Sequence, residues 1–169
     1  MHGLVYEIFE EWVIEQQGVE AWHAIKAKAG CDVQDQAFVT RTFYSYDSWV
    51  NLVTAAADVL DASFDTILEA YGHFNIRYHF SNGYDALLKC QGSTLRQWLS
   101  NLNAMHDHIQ KSFPGGNFCP PVFWCEDSDS EIYEGSILLQ YYSQRGNRLV
   151  SWVVGIVKVS NTWNFHFNE

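Results

Sequence analysis

The hydrophobic spacing of this chain changes period at Pro120-Pro121, and that change sets the class of fold it can adopt. Before it, apolar residues recur at helical intervals; after it, they run or alternate as in strands. Leu4, Val5, Ile8, Phe9, Trp12 and Val13 mark a first helix closed by Gly18. Trp22 and Ile25 mark a second that ends at Gly30. Trp49, Leu52, Val53, Ala56, Val59 and Leu60 predict a third, starting after Asp47-Ser48. Ser63 is the expected N-cap of a fourth that carries Phe64, Ile67, Leu68 and Tyr71, reaches Gly72 and continues toward Tyr78. Ser81-Asn82-Gly83 turns the chain into a short helix through Ala86, Leu87 and Leu88. Thr94 and Gln97 form a capping box for a single helix. Its stripe is Leu95, Trp98, Leu99, Leu102, Met105, Ile109 and Phe113, and Pro114-Gly115-Gly116 stops it.

Beyond the prolines, Val122 to Cys125 and Ile137 to Ser143 are expected as antiparallel neighbours, joined by an acidic loop around Asp127, Asp129 and Glu131. Leu149 to Val159 fits a strand as well as a buried helix. Trp163, Phe165 and Phe167 alternate with polar residues and predict a terminal strand. The expectation is a single α+β domain over 1–169, mainly helical in 1–113, with a small antiparallel sheet plus one helix in 118–169.

Composition narrows the classes of function. A chain of 169 residues that is 47% hydrophobic and 16% aromatic buries a real core and is not disordered. Its net charge of −10 argues against a nucleic-acid partner. The first residues show no basic n-region and no long apolar run, and no membrane span stands out anywhere, so a cytoplasmic protein is expected. Cys31, Cys90, Cys119 and Cys125 lack the close pairing of a structural zinc site and are expected as reduced thiols, mostly in the core. There is no Gly-x-Ser-x-Gly, no His-Glu-x-x-His and no phosphate-binding glycine loop, so no catalytic role is expected.

Two features carry chemistry. Along an extended strand, Tyr141, Ser143 and Arg145 would share one face and offer two hydroxyls and a guanidinium. That set suits a ligand with more than one anionic oxygen, because arginine presents a planar fork of donors; the plainer alternative is a solvated strand edge. The second feature is His106, four residues after Leu102 and three before Ile109. It lies inside the apolar stripe, whereas His108 points away. It is either a core histidine bonded to a backbone carbonyl or an axial ligand to a haem iron. Haem unites the two features: an apolar disc with one metal at its centre and two carboxylates at its edge.

The run Leu102-Asn103-Ala104-Met105-His106-Asp107-His108-Ile109, with Phe113-Pro114-Gly115, Pro121-Val122-Phe123 and Tyr141-x-Ser143-x-Arg145, resembles the signature of the H-NOX (haem nitric oxide/oxygen binding) family. It is most similar to the sensor domain of the soluble guanylate cyclase beta subunit. Met1-x-Gly3-Leu4-Val5, Trp22-x-x-Ile25, Leu52-Val53-x-Ala55-Ala56 and Gly83-Tyr84-Asp85 fit in order, so the resemblance covers roughly 1–158. It implies haem b (iron protoporphyrin IX), with His106 as proximal ligand, Tyr141, Ser143 and Arg145 on the propionates, and Pro121 pressing on the porphyrin. Val5, Phe9, Asn75 and Trp152 would line the distal pocket. Trp152 falls where oxygen-binding members carry a tyrosine, and Phe9 where some carry a tryptophan. Asn75 lies near another position that oxygen binders use. His79 also falls near the pocket, with a solvated or core role expected.

The resemblance implies a sensor of nitric oxide, with carbon monoxide possible, that signals by weakening of the iron–histidine bond. The output partner would be a guanylate cyclase, a histidine kinase or a cyclic-di-nucleotide enzyme, in trans or in the parent chain. An oxygen-binding sensor and a haem-free regulatory or dimerisation module are the alternatives. The family continues past the Leu149–Val159 segment with a longer helical tail and two further strands, so a shortened C-terminus is expected by comparison, whether it is natural, truncated or an alternative end.

Overall fold

A computed structural model describes residues 1–112, 119–127 and 136–162. The helical front begins with α1 (Gly3–Gln17) and α2 (Val19–Ala29), separated at Gly18, whose φ of 86° is a conformation open to glycine. Helix α3 (Tyr46–Val59) follows. It starts earlier than its apolar pattern indicates, because Ser45 Oγ accepts the Asp47 and Ser48 backbone N–H groups at 3.1 and 3.4 Å. Ser63 caps α4 (Phe64–Ser81) as expected, its Oγ accepting from Thr66 N at 3.0 Å. These four helices enclose a core rich in aromatic rings: the ring centroid of Phe9 lies 5.0 Å from that of Trp49 and 5.3 Å from that of Tyr71.

After the short α5 (Asp85–Lys89), the expected single helix is divided into α6 (Leu95–Ser100) and α7 (Leu102–Ser112). The division falls at Asn101, with φ −95° and ψ 0°. Its side-chain amide donates to Gln91 O at 2.6 Å, a competing bond of the kind that makes Asn a poor helix-interior residue. The capping box is also displaced. Thr94 Oγ1 accepts from Gln97 N at 3.2 Å, but Gln97 Oε1 takes the Ser93 N–H at 2.9 Å.

Strands β1 (Val122–Asp127) and β2 (Ile137–Tyr142) pair antiparallel, with Phe123 opposite Tyr141 and Cys125 opposite Leu139. These residues face a second apolar cluster of Ile76, Leu88, Trp98, Leu99, Leu102 and Val159. The ambiguous Leu149–Val159 segment is helical: a 3₁₀ turn at Gly146–Leu149 leads into α8 (Val150–Thr162). The observed α+β architecture therefore has its helical front and small antiparallel sheet as the spacing predicts. The expected helix stop at 113–116, the acidic-loop residues Asp129 and Glu131, and the strand at Trp163–Phe167 lie outside the described residues. All four cysteines are free, and Cys90 is exposed where a core position was expected. Among the described residues no helix is long and apolar enough to cross a membrane.

Helix α8 lies directly on α4. A Cβ on Gly155 would come 2.1 Å from the Glu69 carbonyl oxygen, and one on Gly72 would come 2.4 Å from that of Trp152. Neither carbonyl can retreat without opening its helix. Gly155→Ala should therefore destabilise the fold by about 1–3 kcal/mol, the usual cost of overpacking, read as a lower denaturant midpoint. An unchanged midpoint would mean that the helices slide apart freely.

Candidate functional site

The two apolar clusters meet along α4, and the residues singled out by the sequence gather on either side of that seam. In the second cluster's neighbourhood, His106 projects from α7 with its ring 5.5 Å from that of Phe123 and tilted by 30°. Its Nδ1 lies 2.7 Å from Leu102 O, four residues back. A carbonyl only accepts, so Nδ1 carries the proton. Burial pushes the imidazole pKa below its ordinary value, and the ring is neutral near pH 7. The consequence is a lone pair on Nε2, which is the form of histidine that ligates a metal. The two sequence readings of His106, carbonyl-bonded core histidine and axial ligand, are thus compatible.

Phe123 connects this imidazole to the anion-binding candidates, since its other neighbour is the Tyr141 ring at 5.5 Å. The trio is not arranged as expected. Strand β2 ends at Tyr142, so Tyr141, Ser143 and Arg145 do not alternate along one strand. Ser143 Oγ accepts the Arg145 backbone N–H at 3.1 Å and closes a local turn. Gly146, with φ 67°, continues it. Arg145 extends from this turn, half-buried, and its Nη1 donates to Cys119 O at 3.2 Å. Pro121 is half-buried immediately before β1, two residues from Phe123.

On the first cluster's side, Phe9 is fully buried and Val5 is half-buried. Trp152, from the start of α8, packs its ring 5.3 Å from Tyr71 and 6.1 Å from Trp49. Its indole Nε1 is buried without a hydrogen-bond partner. Asn75 is buried, and its Nδ2 donates to Tyr71 Oη at 3.1 Å. The Tyr71 hydroxyl in turn donates to Val5 O at 2.9 Å, and burial raises its pKa far above the usual phenol range. One turn on, His79 Nδ1 donates to Asn75 O at 2.7 Å, with the ring 5.1 Å from Tyr84. Tyr71, Asn75 and His79 thus form a polar ladder at i, i+4 and i+8 on α4. The sequence reading treated them separately, although their spacing was the available signal.

This donor set fits haem. An iron porphyrin needs one neutral imidazole from the protein, apolar walls and cationic or hydroxyl donors at its carboxylate edge. His106, the flanking aromatic residues, and Tyr141 with Arg145 would supply these respectively. Among the described residues there is no group of three metal-ligating side chains of the kind that would hold a bare ion.

Comparison with known proteins follows the same line. The family model described as Haem-NO-binding matches residues 2–169. Soluble guanylate cyclase gcy-34 of Caenorhabditis elegans is 29% identical over 158 residues, which is 94% of this chain and 22% of the cyclase. The guanylate cyclase soluble subunit beta-2 of Rattus norvegicus is 31% identical over 94 residues, 56% of this chain and 13% of that subunit. The chain therefore spans about a fifth of the length of the worm cyclases it matches, 22% for the first two. Among solved structures, an H-NOX protein from S. oneidensis in the Fe(II) ligation state superposes with a TM-score of 0.78 at 18% identity, covering 96% of this chain and 81% of that one. The same organism's protein in the Fe(II)NO ligation state gives 0.76 at 18% identity, covering 96% and 84%. At that identity the structural likeness establishes the fold.

Burial holds the pKa of His79 below its ordinary value, against a smaller opposing effect of its bond to Asn75 O. The unfolded chain then binds a proton that the folded chain refuses. Stability should therefore fall as pH drops below about 6.5, the ordinary histidine value, toward the lowered one. His79→Leu should remove up to about one proton from that dependence, read from denaturant midpoints between neutral and mildly acid pH. An unaltered slope in the variant would show that His79 titrates normally.

Proposed function

Because the chain belongs to the haem-NO-binding family, we propose that it is a haem-based gas-sensing unit in which His106 would hold the haem iron and nitric oxide would be the gas sensed. The observation that carries this reading is the bond from His106 Nδ1 to Leu102 O, which fixes the tautomer and leaves Nε2 to a metal. When bound, ferrous haem b would supply an iron centre able to take up a diatomic gas and, in response, to loosen its hold on His106.

The remaining work falls to the chain's own residues. Tyr141, Ser143 and Arg145 hold the propionates, with the guanidinium providing charge and the hydroxyls providing direction. Pro121 presses on the porphyrin from the start of β1. Val5, Phe9 and Trp152 wall the distal side with Asn75. Helix α7 is held chiefly at its start: Leu102 is its buried anchor, whereas most of its later side chains are exposed or half-buried. Asn103 pins that anchored end to β1, donating to Phe123 O at 2.7 Å and accepting from Phe123 N at 2.9 Å. Release of His106 would free the far end of α7 while its first turn stayed fixed. That is a two-state element biased by ligand. A cytoplasmic setting and an output through a guanylate cyclase, a histidine kinase or a cyclic-di-nucleotide enzyme complete the proposal. The relatives named as cyclases support the first of these partners.

One observation favours a second reading. The buried Trp152 Nε1–H has no partner, and a free donor beside the ligand would reward a polar gas such as oxygen. Exposure of the reduced protein to air separates the two: a stable oxygen spectrum that Trp152→Phe abolishes would support oxygen sensing.

The purified chain mixed with haem should develop a Soret band, and His106→Gly should abolish or strongly shift it. Nitric oxide added to the reduced protein should give a five-coordinate spectrum. Arg145→Ala should speed haem loss by about tenfold or more, as expected for a lost bond to a charged group. Failure of the wild-type protein to take up haem would end this reading in favour of a haem-free regulatory module.

A further inference from the structure

Tyr46 opens α3 immediately after its capping serine, and its phenolic oxygen is buried without a hydrogen-bond partner. The tyrosines around it are satisfied. Tyr6 donates to Ser45 O at 2.7 Å, Tyr71 donates to Val5 O at 2.9 Å, and the Tyr44 hydroxyl accepts from Val39 N at 3.0 Å. A buried hydroxyl left unpaired is costly, and buried tyrosines usually find a partner. The orphan at Tyr46 is therefore local and specific.

Two arginines act on it in a chain of net charge −10. Arg148 and Arg145 act electrostatically on the Tyr46 phenol, as do the Tyr141 hydroxyl and, from its exposed position, the Asp47 carboxylate. Burial is the larger influence and raises the phenol pKa, while the two guanidinium groups oppose it. Neither arginine forms an ion pair with a carboxylate among the described residues. The one hydrogen bond seen from the Arg145 side chain goes to a backbone carbonyl, Cys119 O. Two guanidiniums that pair with no carboxylate among the described residues, near a buried phenol without an acceptor, make a place suited to a further anion, since the Asp47 carboxylate is exposed and pairs with neither. The orphan donor needs an acceptor oxygen, and the arginines need negative charge; a carboxylate meets both needs.

We propose that Tyr46 is a further propionate-binding residue, donating its hydroxyl to the haem carboxylate that Arg145 faces. The assignment rests on the haem reading above and adds α3 to the elements that hold the haem edge. It also gives Arg148, at the end of the 3₁₀ turn, a role in the charge of that edge.

The test uses Tyr46→Phe, which removes one oxygen and keeps the ring. Haem-loaded wild-type and variant proteins are mixed with excess haem-free myoglobin as acceptor, and haem transfer is followed at the Soret band. The variant should lose haem about tenfold faster or more. With haem whose propionates are methyl esters, the two proteins should differ by less than about twofold, because the ester has no charge to bind. The haem-free variant should melt at the same temperature as the haem-free wild type or above it, since an unsatisfied hydroxyl has been removed. Equal rates of haem loss would overturn the assignment alone. So would a fall in melting temperature of the haem-free variant that accounts for faster loss, because it marks a structural role. No haem uptake by the wild type would overturn the haem reading and this assignment with it.

Discussion

The contact between the backbones of α4 and α8 at Gly72 and Gly155 is the constraint on which the rest of the arrangement depends. Side chains normally keep packed helices 8–10 Å apart. Here a methyl group on either glycine would strike a carbonyl oxygen of the other helix. The close approach carries Trp152, three residues before Gly155, onto the ring of Tyr71, one residue before Gly72. Helix α4 thereby serves two cores, with Tyr71 in the first and Ile76 in the second. Any molecule bound along that seam meets residues from both halves of the chain, held by a crossing that leaves no slack.

Much of this was legible from residue types. The helical stripes, the Ser63 cap, the turn at Ser81-Asn82-Gly83 and the antiparallel pair all follow from local physics, and local physics prevailed. The mismatches in element boundaries share one cause. At Asn101, at Ser45 and at Ser143 a short polar side chain bonds to nearby backbone and ends or starts an element. Hydrophobic periodicity carries no record of these bonds, so a single helix became two and a presumed strand residue, Arg145, became part of a turn. The Leu149–Val159 segment was undecidable by period alone because apolar residues occur all along it. The packing of Gly155 against α4 requires a helix there, and that is a tertiary fact.

The site shows the same division. That His106 lay in an apolar stripe was visible, and the stripe made a demand: a neutral imidazole there needs a partner. The partner is Leu102 O, the carbonyl that an α-helix places one turn back. His79 repeats the solution with Asn75 O. What the sequence concealed was the joining of candidates into a path. His106 touches Phe123, and Phe123 touches Tyr141, so the proposed iron ligand and the proposed carboxylate edge are linked through one ring on β1. Only strand register sets Phe123 opposite Tyr141. Register is fixed by pairing across a loop, and no single stretch of sequence encodes it.

In the proposed sensor, gas discrimination would turn on which distal donors are already committed. A polar diatomic gains from a hydrogen bond only if the donor has no equal partner to give up. The Tyr71 hydroxyl is spent on Val5 O, and one Asn75 amide hydrogen is spent on Tyr71 Oη. Breaking this ladder for a gas would return little, because each bond gained replaces one lost inside the same apolar surroundings. Phe9 and Val5 offer no donor at all. The Trp152 indole differs from these groups, since its N–H is buried and uncommitted, as is that of the neighbouring Trp49. It sits three residues from the glycine that sets the α4–α8 crossing, so its ring has little freedom to reorient. In the proposed sensor the balance between an apolar distal wall and a donating one would rest on these uncommitted indole N–H groups, of which that of Trp152 is held by the α4–α8 crossing.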